Sequence, residues 1–144
     1  MCFKAISFGM AFLYLDQRKL HEMETVSPLG RHLIVDVWGE VDSMPYWDMD
    51  GCAVALKNAA IKVGATVMSE RWHHFGAGHG YTGVVILAES HISVHTWPEK
   101  GYAAIDAFMC GKCDPREALD DILKFYKANE SQVTYIVRGT KENS

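Results

Sequence analysis

Residues 88–97 read Ala-Glu-Ser-His-Ile-Ser-Val-His-Thr-Trp, and a serine between a carboxylate and a histidine invites a nucleophilic role for Ser90. A hydrolase of the usual kind would set that serine in a G-x-S-x-G elbow with an acidic residue orienting the histidine, and neither surrounds Ser90. A serine can also be used once. Its Oγ attacks the preceding carbonyl, here that of Glu89, and turns the peptide into an ester; elimination then cuts the chain and leaves a ketone on the former serine. Such chemistry needs a strained junction, a base and an oxyanion donor, which a tight turn between two rigid strands can supply. The other reactive group is Cys110-Gly111-Lys112-Cys113, a C-x-x-C that opens zinc and thiol-redox readings. Zinc shared with His91 and His95 is disfavoured, because four residues of extended strand separate those Cα atoms by about 13 Å.

The surrounding elements must hold Ser90 rigidly. Thr82 to Ala88 and His91 to Trp97 read as two strands around the Glu89-Ser90 junction. Alternation puts His91, Ser93, His95 and Trp97 on one face and Ile92, Val94 and Thr96 on the other. Arg31 to Trp38, Ala65 to Trp72, Tyr102 to Met109 and Gln132 to Arg138 read as further strands. A helix is expected over residues 51–63, capped by Asp48 or Asp50 and stopped by Gly64. A second is expected from Asp114-Pro115-Arg116-Glu117, with Glu117 completing a capping box. The sum is an α+β chain: a two-layer sandwich of a largely antiparallel sheet with helices on one face.

A length of 144 residues is that of one domain, preceded here by an extension over residues 1–28. The net charge of −4 and the lack of a basic block argue against nucleic acid as a partner. Residues 5–15 have the outline of a signal core but no cleavage motif, and eleven apolar residues are too few to span a bilayer, so no membrane role is expected. Four cysteines at 2, 52, 110 and 113 do not form a secreted disulfide pattern, which points to a reducing, cytoplasmic location.

Glu89-Ser90-His91-Ile92-Ser93-Val94-His95-Thr96-Trp97-Pro98-Glu99, then Gly101 to Asp106 and Phe108-Met109-Cys110-Gly111, resembles the prokaryotic S-adenosylmethionine decarboxylases. Leu29 to Leu33 resembles the start of their first strand, and Trp72-His73-His74-Phe75 their Phe-His-Arg-Phe segment. The resemblance covers residues 29–138 and implies a proenzyme cut between Glu89 and Ser90. Ser90 would become a covalent pyruvoyl cofactor that forms a Schiff base with S-adenosylmethionine; loss of CO2 would yield decarboxylated S-adenosylmethionine for spermidine and other polyamines. Position by position, it implies Cys110 as the proton donor to Cα and His95 as the histidine assisting cleavage. Thr82 matches a second processing residue, Phe75 an adenine stacker, Glu99 a ribose ligand, and Ile92 a backbone contact to adenine. No metal is implied. The resemblance also implies a homodimer of cleaved α/β protomers packed as an αββα sandwich, with some groups serving the partner's pyruvoyl.

Five features depart from that pattern. Thr82 replaces the usual serine, Met109 the usual threonine before the cysteine, and His74 the usual arginine. The glycine-rich loop after Phe75 is one residue longer, and residues 1–28 have no counterpart. These departures keep open ornithine or arginine as substrate, and a non-processing homologue that regulates a partner decarboxylase.

Overall fold

The computed structural model describes residues 28–140. The expected signal-like stretch and all but the last residue of the expected extension lie outside these residues. Six strands form one sheet in the order β2-β3-β4-β5-β1-β6, and every neighbouring pair is antiparallel. The strands are β1 (Gly30–Trp38), β2 (Val67–His74), β3 (Tyr81–Leu87), β4 (Ser90–Trp97), β5 (Tyr102–Cys110) and β6 (Glu130–Arg138). Helices α1 (Met49–Lys62) and α2 (Leu119–Phe125) complete the fold.

Strand alternation sorts the side chains into two faces. Leu33, Val35 and Val37 of β1, Ile92 and Val94 of β4, and Ala103 to Met109 at every second position of β5 face the helices and are buried. They pack in one cluster with Cys52, Leu56, Ala59 and Ala60 of α1 and Leu119 and Ile122 of α2. Met109 is wholly buried in this cluster, so a methionine for a threonine there enlarges the core, not the reactive face. Both helices are fastened to the sheet by buried hydroxyls. Tyr81 on β3 donates to the Pro45 carbonyl at 2.9 Å, and Tyr126 after α2 lies 2.9 Å from the Tyr81 hydroxyl and 3.2 Å from Cys52 Sγ on α1.

Of the two candidate caps, Asp48 and Asp50, it is Asp48 that caps α1, its carboxylate accepting from the Gly51 N–H at 2.8 Å. The capping box at Glu117 does not form. Asp114 accepts from Arg116 N–H at 3.0 Å and grips the Arg116 guanidinium, so Pro115–Ala118 winds as a 3-10 turn and the α-helix starts only at Leu119. The strand expected from Ala65 begins two residues later, because the Ala65 N–H still closes the end of α1 on the Ala60 carbonyl.

The opposite face of the sheet carries no helix among the described residues. It presents half-buried rings and charges: Trp38, Tyr102 and Trp97 stack in series with centroids 5.3 and 5.2 Å apart. His32 Nε2 lies 3.0 Å from Asp106 Oδ1, and the Tyr102 hydroxyl donates to Asp36.

Candidate active site

Strands β3 and β4 pair with Leu87 opposite Ser90, which leaves a two-residue turn, Ala88-Glu89. Hairpin turns this short are relaxed when the turn residues themselves take positive φ. Here Ala88 and Glu89 do not; the positive φ falls on Ser90, at 151°. That region is open to glycine and strained for any residue with a Cβ. The bond between Glu89 and Ser90 is therefore held in a backbone state that serine would not choose.

The carbonyl of that same peptide is engaged from across the sheet. Ser90 pairs with Met109 of β5, and the next residue, Cys110, donates its backbone N–H to the Glu89 carbonyl oxygen at 3.0 Å. An N–H aimed at the oxygen that turns negative when Ser90 Oγ adds to the carbonyl is the geometry of an oxyanion donor. Cys110 is partly exposed and stands at the end of β5 on the helix-free face. Cys113 is buried on the other side, and burial pushes its thiol pKa up. The two are free cysteines, and no group of three His, Cys, Asp or Glu side chains that could hold a metal occurs among the described residues.

A second group of candidate residues meets at the far end of the β3–β4 hairpin. Thr82 and His95 are directly paired across the strands, and the Thr82 hydroxyl lies 2.8 Å from His95 Nδ1 and 3.1 Å from the Val94 carbonyl. The hydroxyl has one proton. When it goes to Val94, His95 must donate from Nδ1, which leaves Nε2 with a free lone pair, the state of a base. Threonine thus makes the contact a serine would. These two residues help line an open groove of about 310 Å³ with Arg71, His73 and Ser93.

Phe75 follows β2 at this end, 53% exposed as a residue, its ring edge-on to His73. The departure at His74 has a local use, since its Nδ1 accepts from the Gly76 N–H at 3.0 Å and shapes the longer loop. Glu99 is exposed in the Pro98–Lys100 turn that follows β4. Trp72, by contrast, is committed to packing: a Cβ on Gly83 would sit 2.0 Å from its ring. Ile92 is wholly buried between Val85 and Ala107, so only its backbone remains for any ligand.

The candidate residues therefore fall into two groups. Glu89, Ser90 and Cys110 meet at one end of the hairpin; Thr82, His95, Phe75 and Glu99 gather towards the other. Five residues of extended strand separate Ser90 from His95, about 16 Å. Sequence reasoning missed Thr66, whose N–H and hydroxyl reach the Glu89 carboxylate at 2.8 and 3.2 Å. Nothing in local periodicity marks it, because the contact joins residues 23 apart.

Comparison with known proteins places this arrangement. The family model for S-adenosylmethionine decarboxylase matches residues 31–139. The S-adenosylmethionine decarboxylase proenzyme of Methanococcus maripaludis strain S2 is 44% identical over 112 residues, covering 77% of this chain and 90% of the relative. That of Pyrococcus abyssi is 44% identical over 116 residues, 80% of this chain and 82% of the relative. The crystal structure of the adenosylmethionine decarboxylase from Aquifex aeolicus superposes with a TM-score of 0.71 at 32% identity, covering 83% of this chain and 98% of the other. A match over most of the chain, in sequence and in fold, is decisive: this chain belongs to the S-adenosylmethionine decarboxylase family.

Proposed function

We propose that this chain cuts itself between Glu89 and Ser90 and then decarboxylates S-adenosylmethionine, with a second copy of the chain completing each site. The observation that carries the reading is the Ser90 junction: a serine at φ 151° whose preceding carbonyl already accepts from the Cys110 N–H at 3.0 Å. Ser90 Oγ adds to the Glu89 carbonyl carbon, and the negative charge grows where the Cys110 N–H waits. The C–N bond breaks, giving an ester and a free Ser90 amine. A base removes the Ser90 Cα proton, the Cβ–O bond breaks, and Glu89 leaves as a carboxylate. One water then enters and one ammonia leaves, so Ser90 ends as a pyruvoyl ketone at the head of residues 90–144. Release from an unfavourable φ favours the cut.

Once formed, the ketone supplies the electron sink for loss of the substrate carboxylate. The rest falls to the chain. Cys110, next to the Met109 that pairs with Ser90, would deliver a proton to the substrate Cα. His95, oriented by Thr82, is the base for the elimination. At about 16 Å it cannot act on Ser90 of its own chain, so it acts on the partner's. The helix-free sheet face, with its stacked Trp38, Tyr102 and Trp97, is the surface on which two copies meet as an αββα sandwich. Phe75 offers an exposed ring to the adenine, Glu99 a carboxylate to the ribose hydroxyls, and Ile92 its backbone to the adenine edge. The product, decarboxylated S-adenosylmethionine, serves polyamine synthesis. Free thiols at Cys52, Cys110 and Cys113 support a cytoplasmic location. No described helix is long and apolar enough to cross a membrane.

Intact mass under denaturing, reducing conditions tests this reading. Two fragments, 1–89 and 90–144, are expected, the smaller lighter by one ammonia than a fragment beginning with serine. CO2 release is expected from S-adenosylmethionine and not from ornithine or arginine. A single chain of 16.1 kDa overturns the self-cleavage reading; CO2 from ornithine or arginine alone overturns the substrate.

A further inference from the structure

The turn that carries the scissile bond is fastened from outside its own hairpin. Thr66 stands just before β2, where a bulge between Val67 and Ser69 shifts the register of β2 against β3. Its carbonyl accepts from the Ala88 N–H at 2.9 Å. Its own N–H donates to Glu89 Oε2 at 2.8 Å, and its hydroxyl to Oε1 at 3.2 Å. Three hydrogen bonds from one residue thus hold both residues of a two-residue turn. From the opposite side, the Cys110 N–H holds the Glu89 carbonyl. The Glu89 residue is gripped by its side chain from Thr66, just ahead of β2, and by its main chain from β5. A turn free at its tip would relax by rotating the Glu89–Ser90 peptide and returning Ser90 to negative φ; these grips oppose that rotation.

We propose that Thr66 and the Glu89 carboxylate form a clamp that positions the scissile peptide for attack by Ser90 Oγ. They are positioning residues for chain cleavage, with no part in the bond changes. The Thr66 N–H, foremost among the contacts at Glu89, also holds the Glu89 carboxyl below the usual carboxylate range. The proposal rests on the self-cleavage reading above.

The test follows cleavage in time after cell-free synthesis of the full chain, with denaturing gels at neutral pH. The Glu89→Ala variant removes both side-chain grips and is expected to cut at least about tenfold more slowly than the natural chain. Thr66→Val removes the hydroxyl and keeps the N–H, so it slows cleavage by less; Thr66→Ser keeps both and cuts at the natural rate. A role in packing alone gives the reverse order, because valine matches threonine in shape and strand preference while serine does not. Thermal midpoints of the variants check folding, and the Thr66 pair decides the matter if Glu89→Ala does not fold. Cleavage of Thr66→Val at the natural rate, with Thr66→Ser slower, overturns the clamp alone. A natural chain that never cuts overturns the clamp and the self-cleavage reading together.

Discussion

Strain at Ser90 is measurable without any chemistry. Ser90→Ala and Ser90→Gly both lack the Oγ and both stay uncut, so they compare the same intact chain with and without a Cβ at φ 151°. A residue with a Cβ in this region costs about 1–3 kcal/mol. Glycine returns about 0.5–1 kcal/mol of that through the greater freedom of its unfolded chain. The difference leaves the glycine variant more stable by about 1 kcal/mol. For a chain of this length, 1 kcal/mol moves the thermal midpoint by about 3–4 °C. The assay is thermal melting of the two variants at one protein concentration, because the proposed dimer would make the midpoint concentration-dependent. Alanine at Ser90 melting at or above glycine would refute the argument that the junction stores strain.

Three other outcomes follow from the same geometry. Cys110→Ala is expected to cut normally, since the donor to Glu89 is a backbone N–H, while decarboxylation falls at least about 100-fold; an uncut Cys110→Ala chain contradicts the assignment. Thr82→Val removes the partner of His95 Nδ1 and is expected to slow cleavage about tenfold, with Thr82→Ser unaffected, as read on time-resolved gels. Iodoacetamide on the native protein at pH 8, read by peptide mapping, is expected to label Cys110 before Cys52 and Cys113. Burial pushes the Cys52 thiol up to about 11 and raises that of Cys113 as well.

Much of the fold was legible because burial has a period. The alternation in Ser90–Trp97 placed Ile92, Val94 and Thr96 under the helices and His91, Ser93, His95 and Trp97 on the other face, as the structure has them. Gly64 and the apolar stripe of α1 were equally plain, whereas the choice of Asp48 over Asp50 as its cap was not. Strand order was not, since β1 lies between β5 and β6 by pairing across long stretches of chain that no local pattern encodes. The 3-10 start of the second helical segment was also hidden: Asp114-Pro115-Arg116-Glu117 has the residues of a capping box, but Arg116 competes for the capping carboxylate. At the site, sequence resemblance named individual residues without saying which ones meet. The pairing of Thr82 with His95, the approach of Cys110 N–H to Glu89, and the grip of Thr66 are tertiary contacts. The separation of about 16 Å that divides the site in two, by contrast, is local: it is five residues of one strand and follows from the rise per residue.

That division is the central claim, and mixing two defective chains tests it most directly. Ser90→Ala lacks the nucleophile but retains His95; His95→Ala lacks the base but retains Ser90. Each is expected to remain whole by itself on a neutral denaturing gel. Co-folded, they are expected to cut the His95→Ala chain alone, because each mixed dimer joins its Ser90 to the His95 of the other chain. A His95→Ala chain that stays whole in the mixture, or that cuts equally well without its partner, contradicts the account.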